Sequence, residues 1–140
     1  MIVKDHRDAP LSGADAKALE LYETAICQFN CYVGDPVATC DAALAESPDF
    51  AMAIALKAYL LLSGMERGPV PQAAELLARL RKVKLNERER RHAAAVACLV
   101  DGAFHRASER LEDILIADPR DILALQMGHL LDFYRGDSRN

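Results

Sequence analysis

Along residues 104–117 the apolar positions Phe104, Ala107, Leu111, Ile114 and Leu115 recur every three to four residues, with Arg106, Glu109, Arg110, Glu112 and Asp113 between them. That is the period of an α-helix with one buried face. Residues 50–63 differ, because Phe50, Met52, Ile54, Leu56, Tyr59, Leu60, Leu61 and Leu62 leave almost no polar side. A helix apolar all round is packed on more than one face. Segments rich in Ala, Leu, Glu and Arg are punctuated at Ser12-Gly13, Gly34-Asp35-Pro36, Ser47-Pro48-Asp49, 64–71, 84–86, Gly102, Asp118-Pro119 and Gly136-Asp137. Such breaks separate helices rather than strands. The pattern predicts seven helices, at 14–32, 36–46, 50–63, 70–82, 87–101, 104–117 and 121–135.

End signals agree with these boundaries. Asp35-Pro36 places an N-cap carboxylate before a proline at the first helical position. Asn86 with Glu89 three residues on has the form of a capping box. Gly34, Gly64, Gly102 and Gly136 each follow a helical run, where a left-handed residue ends a helix at least cost.

The chain also repeats. Ser47-Pro48-Asp49 and Asp118-Pro119-Arg120 lie 71 residues apart, about twice the 34-residue helix-turn-helix period of tetratricopeptide repeats. After each proline, Met52, Ala53 and Leu56 fall opposite Leu123, Ala124 and Met127. The fullest unit spans 88–121, with Ala95, Gly102, Phe104, Ala107, Leu111 and Pro119 at the repeat's spacing. The middle unit keeps Ala73 and Leu77 but has Leu85 in the proline slot, and in the first unit Pro36 stands where a small residue belongs. The expected fold is therefore all-α: an alpha-alpha superhelix, a TPR-like solenoid of three helix pairs plus a terminal helix. An N-terminal arm (1–12) precedes the repeat domain (13–140), with units at 13–48, 50–85 and 87–119 and a last helix at 121–135.

A more specific resemblance covers nearly the whole chain in order. Pro10-Leu11-Ser12, the run from Ala18 to Tyr22 leading to Gly34-Asp35, and the corner from Ser47 to Met52 resemble the start of the tetratricopeptide repeat protein 38 family. So do the segments Glu87 to His92 with Ala95, Gly102 to Ala107, and Leu123 to Leu125 with His129, Phe133, Tyr134 and Gly136. Where many members have an Asp after the counterpart of His129, this chain has Leu130. The resemblance implies a repeat scaffold without an assigned catalytic activity, corresponding to the N-terminal third of a longer solenoid.

Composition narrows the function classes. The 140 residues are 51% hydrophobic, carry a net charge of −4 and include no Trp; this suits one globular domain and disfavours a surface adapted to nucleic acid. No leader-like or membrane-length apolar run is present in the sequence, so a cytoplasmic location is expected. Cys27, Cys31, Cys40 and Cys98 lack CxxC spacing; Cys27 and Cys31, one turn apart, could share a metal or exchange thiols, but the prevailing expectation is small buried hydrophobes. No metal site and no cofactor are expected.

Four histidines, His6, His92, His105 and His129, invite an enzymatic reading. His92 and His129 could meet in a groove between first helices, with Asp132 or Glu89 as a third polar group, but HExxH, GxSxG and P-loop motifs are missing. The stretch 79–92 holds seven Lys and Arg; a solvated, salt-bridged face is expected there, with nucleic-acid binding as an alternative. The leading expectation is a non-enzymatic scaffold binding a protein or peptide, or packing against the remainder of a longer solenoid. Met52, Tyr59, Val96, Leu99, Leu130 and Phe133 are the candidates to line its groove. The apolar terminal helix, with Ile122, Leu123, Leu125, Met127, Leu130, Leu131, Phe133 and Tyr134, predicts a homodimer through that helix.

Overall fold

A computed structural model describes residues 3–64 and 66–135, with backbone alone for 134 and 135. Among the described residues there are seven helices: α1 (Ala16–Cys31), α2 (Pro36–Glu46), α3 (Ala51–Leu62), α4 (Val70–Leu80), α5 (Glu87–Val100), α6 (Phe104–Ala117) and α7 (Ile122–Arg135). They pack as sequential antiparallel pairs, α1 with α2, α3 with α4 and α5 with α6, while α7 packs on α6. None of the described helices is long and apolar enough to cross a membrane.

The caps form as the residues dictate. Asp15 accepts from the Ala18 amide at 2.8 Å and Asp35 from the Ala38 amide at 3.1 Å, with Pro36 opening α2. The Asn86–Glu89 capping box is closed in both directions. At the end of α5, Gly102 takes a positive φ of 75°, and the amides of Gly102 and Ala103 return to Leu99 and Cys98. Gly34 is left-handed as well (φ 69°), although α1 itself closes on the left-handed Tyr32 (φ 55°) two positions earlier. The Gly64 expectation needs correction: it has no positive φ, and α3 ends on a Ser63 turn to Leu60. Gly136 lies outside the described residues.

The first helices of the pairs begin on a regular period. Their N-caps, Asp15, Phe50, Asn86 and Asp121, fall 35, 36 and 35 residues apart. Those of α2, α4 and α6, at Asp35, Pro69 and Ala103, are 34 apart. The two proline corners share one backbone path: the α2 cap Ser47 has φ −137° and ψ 85°, the α6 cap Asp118 φ −142° and ψ 87°. Each then accepts from the amide three residues on, at Phe50 and Asp121.

α3 is the hub. Ala51 through Leu56, Ala58, Tyr59 and Leu62 are all buried, as a helix without a polar face requires. The sequence pattern does not reveal the start of the chain. Val3–Lys4 and Pro10–Leu11 pair as a two-stranded antiparallel hairpin, β1 and β2, with Val3 opposite Leu11. Its turn is held by Asp5, whose Oδ1 accepts from the amides of Arg7 and Ala9 at 2.9 Å. The arm is seated on the helices, since the Ala51 amide donates to Ser12 O and the Asp15 amide to Ser47 Oγ.

Gly13 permits that seating. A Cβ there would stand 2.1 Å from the Asp49 carbonyl oxygen, and φ is +81°. Gly13→Ala is expected to cost about 2–3 kcal/mol in urea unfolding, through backbone displacement and a strained φ. Gly128, inside α7, is the opposite case. Nothing lies within 4 Å of an added Cβ, so Gly128→Ala is expected to raise stability by about 0.5–1 kcal/mol through helix propensity.

Candidate functional site

Polar groups inside this core converge on one point. Arg88 and His92 are four residues apart on α5 and therefore share a face. Both meet Asp121, the N-cap of α7, which is 2% exposed. Asp121 Oδ2 accepts from Arg88 Nε at 2.8 Å and pairs with His92 Nε2 at 2.7 Å, while Oδ1 accepts from the Ala124 amide at 3.0 Å. The other imidazole nitrogen, Nδ1, lies 2.7 Å from the Tyr59 hydroxyl on α3, with the two rings edge to face. An ionised carboxylate can only accept, so His92 Nε2 carries the proton facing Asp121. In neutral His92 the Tyr59 hydroxyl then donates to Nδ1.

Electrostatics support the ionised form. Burial alone would raise the Asp121 carboxyl, but the facing His92 and the Arg88 guanidinium hold it well below the usual carboxylate range. Burial pushes the Tyr59 hydroxyl well above its ordinary value, and Asp121 adds to the shift. Around Arg88 three buried atoms have no hydrogen-bond partner among the described groups: Asp5 Oδ2, Tyr22 Oη and Arg88 Nη1. Asp5 Oδ2 stands 3.9 Å from Arg88 Nη1.

Glu89 forms a second junction. Its Oε2 accepts from the Ser12 amide and its Oε1 from the Asn86 amide, both at 2.8 Å, so one buried carboxylate joins the arm to the start of α5.

These placements revise the sequence expectations. Met52, Tyr59 and Val96 are fully buried and Leu99 almost so; they build the core and present no face to a partner. Of the expected groove residues, Leu130 is half-buried and Phe133 is 69% exposed. His92 and His129 do not meet. Both ring nitrogens of His92 are taken, and His129 is exposed on α7, eight residues or about 12 Å of helix beyond Asp121. The basic stretch is not uniformly solvated, because Arg88, Glu89 and His92 turn inward while Arg91 pairs with Glu87 at the surface. Cys27 and Cys31, expected as buried hydrophobes, are exposed; Cys40 is buried and Cys98 is half-buried.

Asp121, Arg88, Asp5 and Tyr22 escaped sequence reasoning, although two signals were present. An Asp directly before an apolar run reads as an N-cap. An Arg in the first turn of a helix faces the unfavourable end of the macrodipole, which points to an acidic partner elsewhere.

An apolar groove does exist, in a different place. Phe29, Tyr32, Val33, Val37, Leu60 and Leu130 line a groove of about 390 Å³ where the end of α1 faces α7. It adjoins a second groove, bordered by Tyr32, Gln126, His129, Leu130 and Phe133. Gln126 Nε2 donates to Tyr32 Oη at 3.1 Å, joining positions 94 residues apart.

The order carboxylate, imidazole, hydroxyl is that of a catalytic triad, but its terminal hydroxyl belongs to a fully buried tyrosine. In this arrangement the network ties α3, α5 and α7 together. No family model and no solved structure matches the chain.

Asp121→Asn keeps the cap and removes the charge; it is expected to cost about 2–3 kcal/mol, because Arg88 then keeps only the longer carboxylate contacts to Asp118 Oδ2 at 3.7 Å and Asp5 Oδ2 at 3.9 Å. A carboxylate whose folded pKa is depressed stabilises the fold above its unfolded value, roughly 3.9, and loses that contribution as pH falls toward the folded value. Urea unfolding from pH 7 to pH 2 is therefore expected to show an acid loss in the wild type that is shallower in Asp121→Asn. Tyr59→Phe should cost about 1–2 kcal/mol by orphaning His92 Nδ1, whereas Tyr22→Phe, which deletes an unpartnered hydroxyl, should leave stability unchanged or higher.

Proposed function

We propose that this chain is a non-enzymatic helical-repeat scaffold of the tetratricopeptide type, an α-solenoid module that binds an apolar helical segment of a protein partner. The observation that carries the reading is the cap spacing: second helices start every 34 residues and first helices every 35 or 36. That spacing matches the period of the repeat family, and the resemblance to the tetratricopeptide repeat protein 38 family points the same way.

The binding face is the strip joining the α1 end to α7. Tyr32, Val33, Leu125 and Phe133 are exposed large apolar residues there, and the adjoining grooves give them concave relief. α7 stands in the position of a first helix. A partner helix laid on it as α6 lies on α5 would complete a further pair, and such units bury their apolar faces only against neighbours. The apolar residues left for this purpose are fewer than the pattern of α7 suggests, since Leu123, Ala124, Met127 and Leu131 are buried in the chain's own core.

Without a partner, the same strip pairs two copies in a two-fold dimer. Light scattering of the purified chain is expected to show concentration-dependent dimers that Phe133→Glu and Tyr32→Glu weaken, with helix content retained in circular dichroism. A wild type that stays monomeric at high concentration would remove the dimer. Failure of the chain to retain any apolar helical segment from a displayed peptide library, or equal retention by Phe133→Glu, would remove the docking face. The burial of His92, Tyr59 and Asp121 supports a scaffold over a histidine-based enzyme, and the inward-turned Arg88 weighs against a nucleic-acid surface on 79–92.

A further inference from the structure

Cys27 and Cys31 stand one turn apart on α1, and both thiols face solvent. With His6, Glu20, Glu23 and Ile122 they border a surface groove of about 560 Å³ between the hairpin, α1 and the start of α7. Four residues apart on α1, the two side chains are neighbours on one helix face, and the nearby Cys27 thiol pushes Cys31 above its ordinary pKa.

Helix geometry decides what such a pair can do. Cβ atoms four residues apart on a helix are about 5–6 Å from each other, whereas a disulfide needs roughly 3.5–4.5 Å. The backbone thus resists closure of an S–S bond while holding two soft ligands side by side. A single ion bonded to both sulfurs meets no such limit, since two metal–sulfur bonds of about 2.3 Å bridge a sulfur gap of up to about 4.6 Å.

The number of ligands selects the ion. Among the described residues no group of three His, Cys, Asp or Glu is placed to hold a metal. Structural zinc takes four protein ligands, and calcium or magnesium takes oxygens. Two thiolates alone suit a soft cation satisfied by two-fold coordination, and thiolates favour Cu(I). The charged neighbours are engaged with one another, Arg7 with Glu23 at 3.0 Å and His6 with Glu20 at 3.4 Å.

We propose that Cys27 and Cys31 form a two-coordinate thiolate site for a monovalent thiophilic cation of the Cu(I) class. Binding replaces two S–H bonds by two metal–sulfur bonds and releases two protons, with no change in oxidation state. The ion would sit beside Ile122, at the junction of α1 and α7.

The test is anaerobic titration of the fully reduced chain with Cu(I) held by bicinchoninate. The expected result is transfer of one equivalent to the wild type and to Cys98→Ser, with a thiolate-to-Cu(I) absorption in the ultraviolet. Cys27→Ser, Cys31→Ser and the double variant, all at exposed positions and checked for folding by circular dichroism, are expected to lose the transfer. Absence of transfer to the wild type, or transfer that persists in the double variant, would overturn the proposal. So would retention of one equivalent of Zn(II) against a zinc indicator under the same conditions, because it would require ligands beyond this pair.

Discussion

Asp121 is an ionised carboxylate with almost no water around it, and a buried charge is tolerable only where donors surround it. Arg88, His92 and the Ala124 amide meet that requirement from two helices, and Tyr59 completes the far side of the imidazole from a third. Each donor has one position from which it can serve. The start of α7, the inner face of α5 and the middle of α3 are therefore fixed relative to one another more tightly than apolar packing alone requires.

The same corner is built twice with different chemistry. Phe50 and Asp121 occupy corresponding positions, three residues after the corner residues Ser47 and Asp118. Phe50 docks on the preceding first helix through the Tyr22 ring, with centroids 5.1 Å apart. Asp121 docks on the preceding first helix through Arg88 and His92. One contact is non-directional and tolerant of small shifts. The other is directional and breaks if the helices slide, so the Asp118 corner sets the register of the last helix.

The N-terminal hairpin belongs to this arrangement. Its main chain supplies an amide to Glu89 at Ser12 and a carbonyl to Asn86 at Pro10, and Asp5 brings a carboxylate toward Arg88. Arg7 pairs with Glu23 of α1. A segment of ten residues thereby links α1 to α5, helices that belong to different pairs.

Helix positions were legible in the sequence because hydrophobic period, caps and proline corners are local properties. The ranges of α2 and α6 match the expectation residue for residue, and the other five differ only at their ends. The hairpin was not legible, since two-residue strands leave no alternation to read. The groove was misplaced for a related reason. Periodicity tells that Met52, Tyr59, Val96 and Leu99 are apolar on a first helix, but whether a neighbour covers them depends on how the pairs stack. The polar site shows the same division. His92 and Glu89 stood out as chemical residues, yet their partners Tyr59, Asp121 and Ser12 lie 29 to 77 positions away. The sequence by itself determined the elements and their period, through interactions spanning a turn or two of helix. Only the tertiary structure decided which charges are buried and which thiols are exposed, because burial depends on residues distant along the chain.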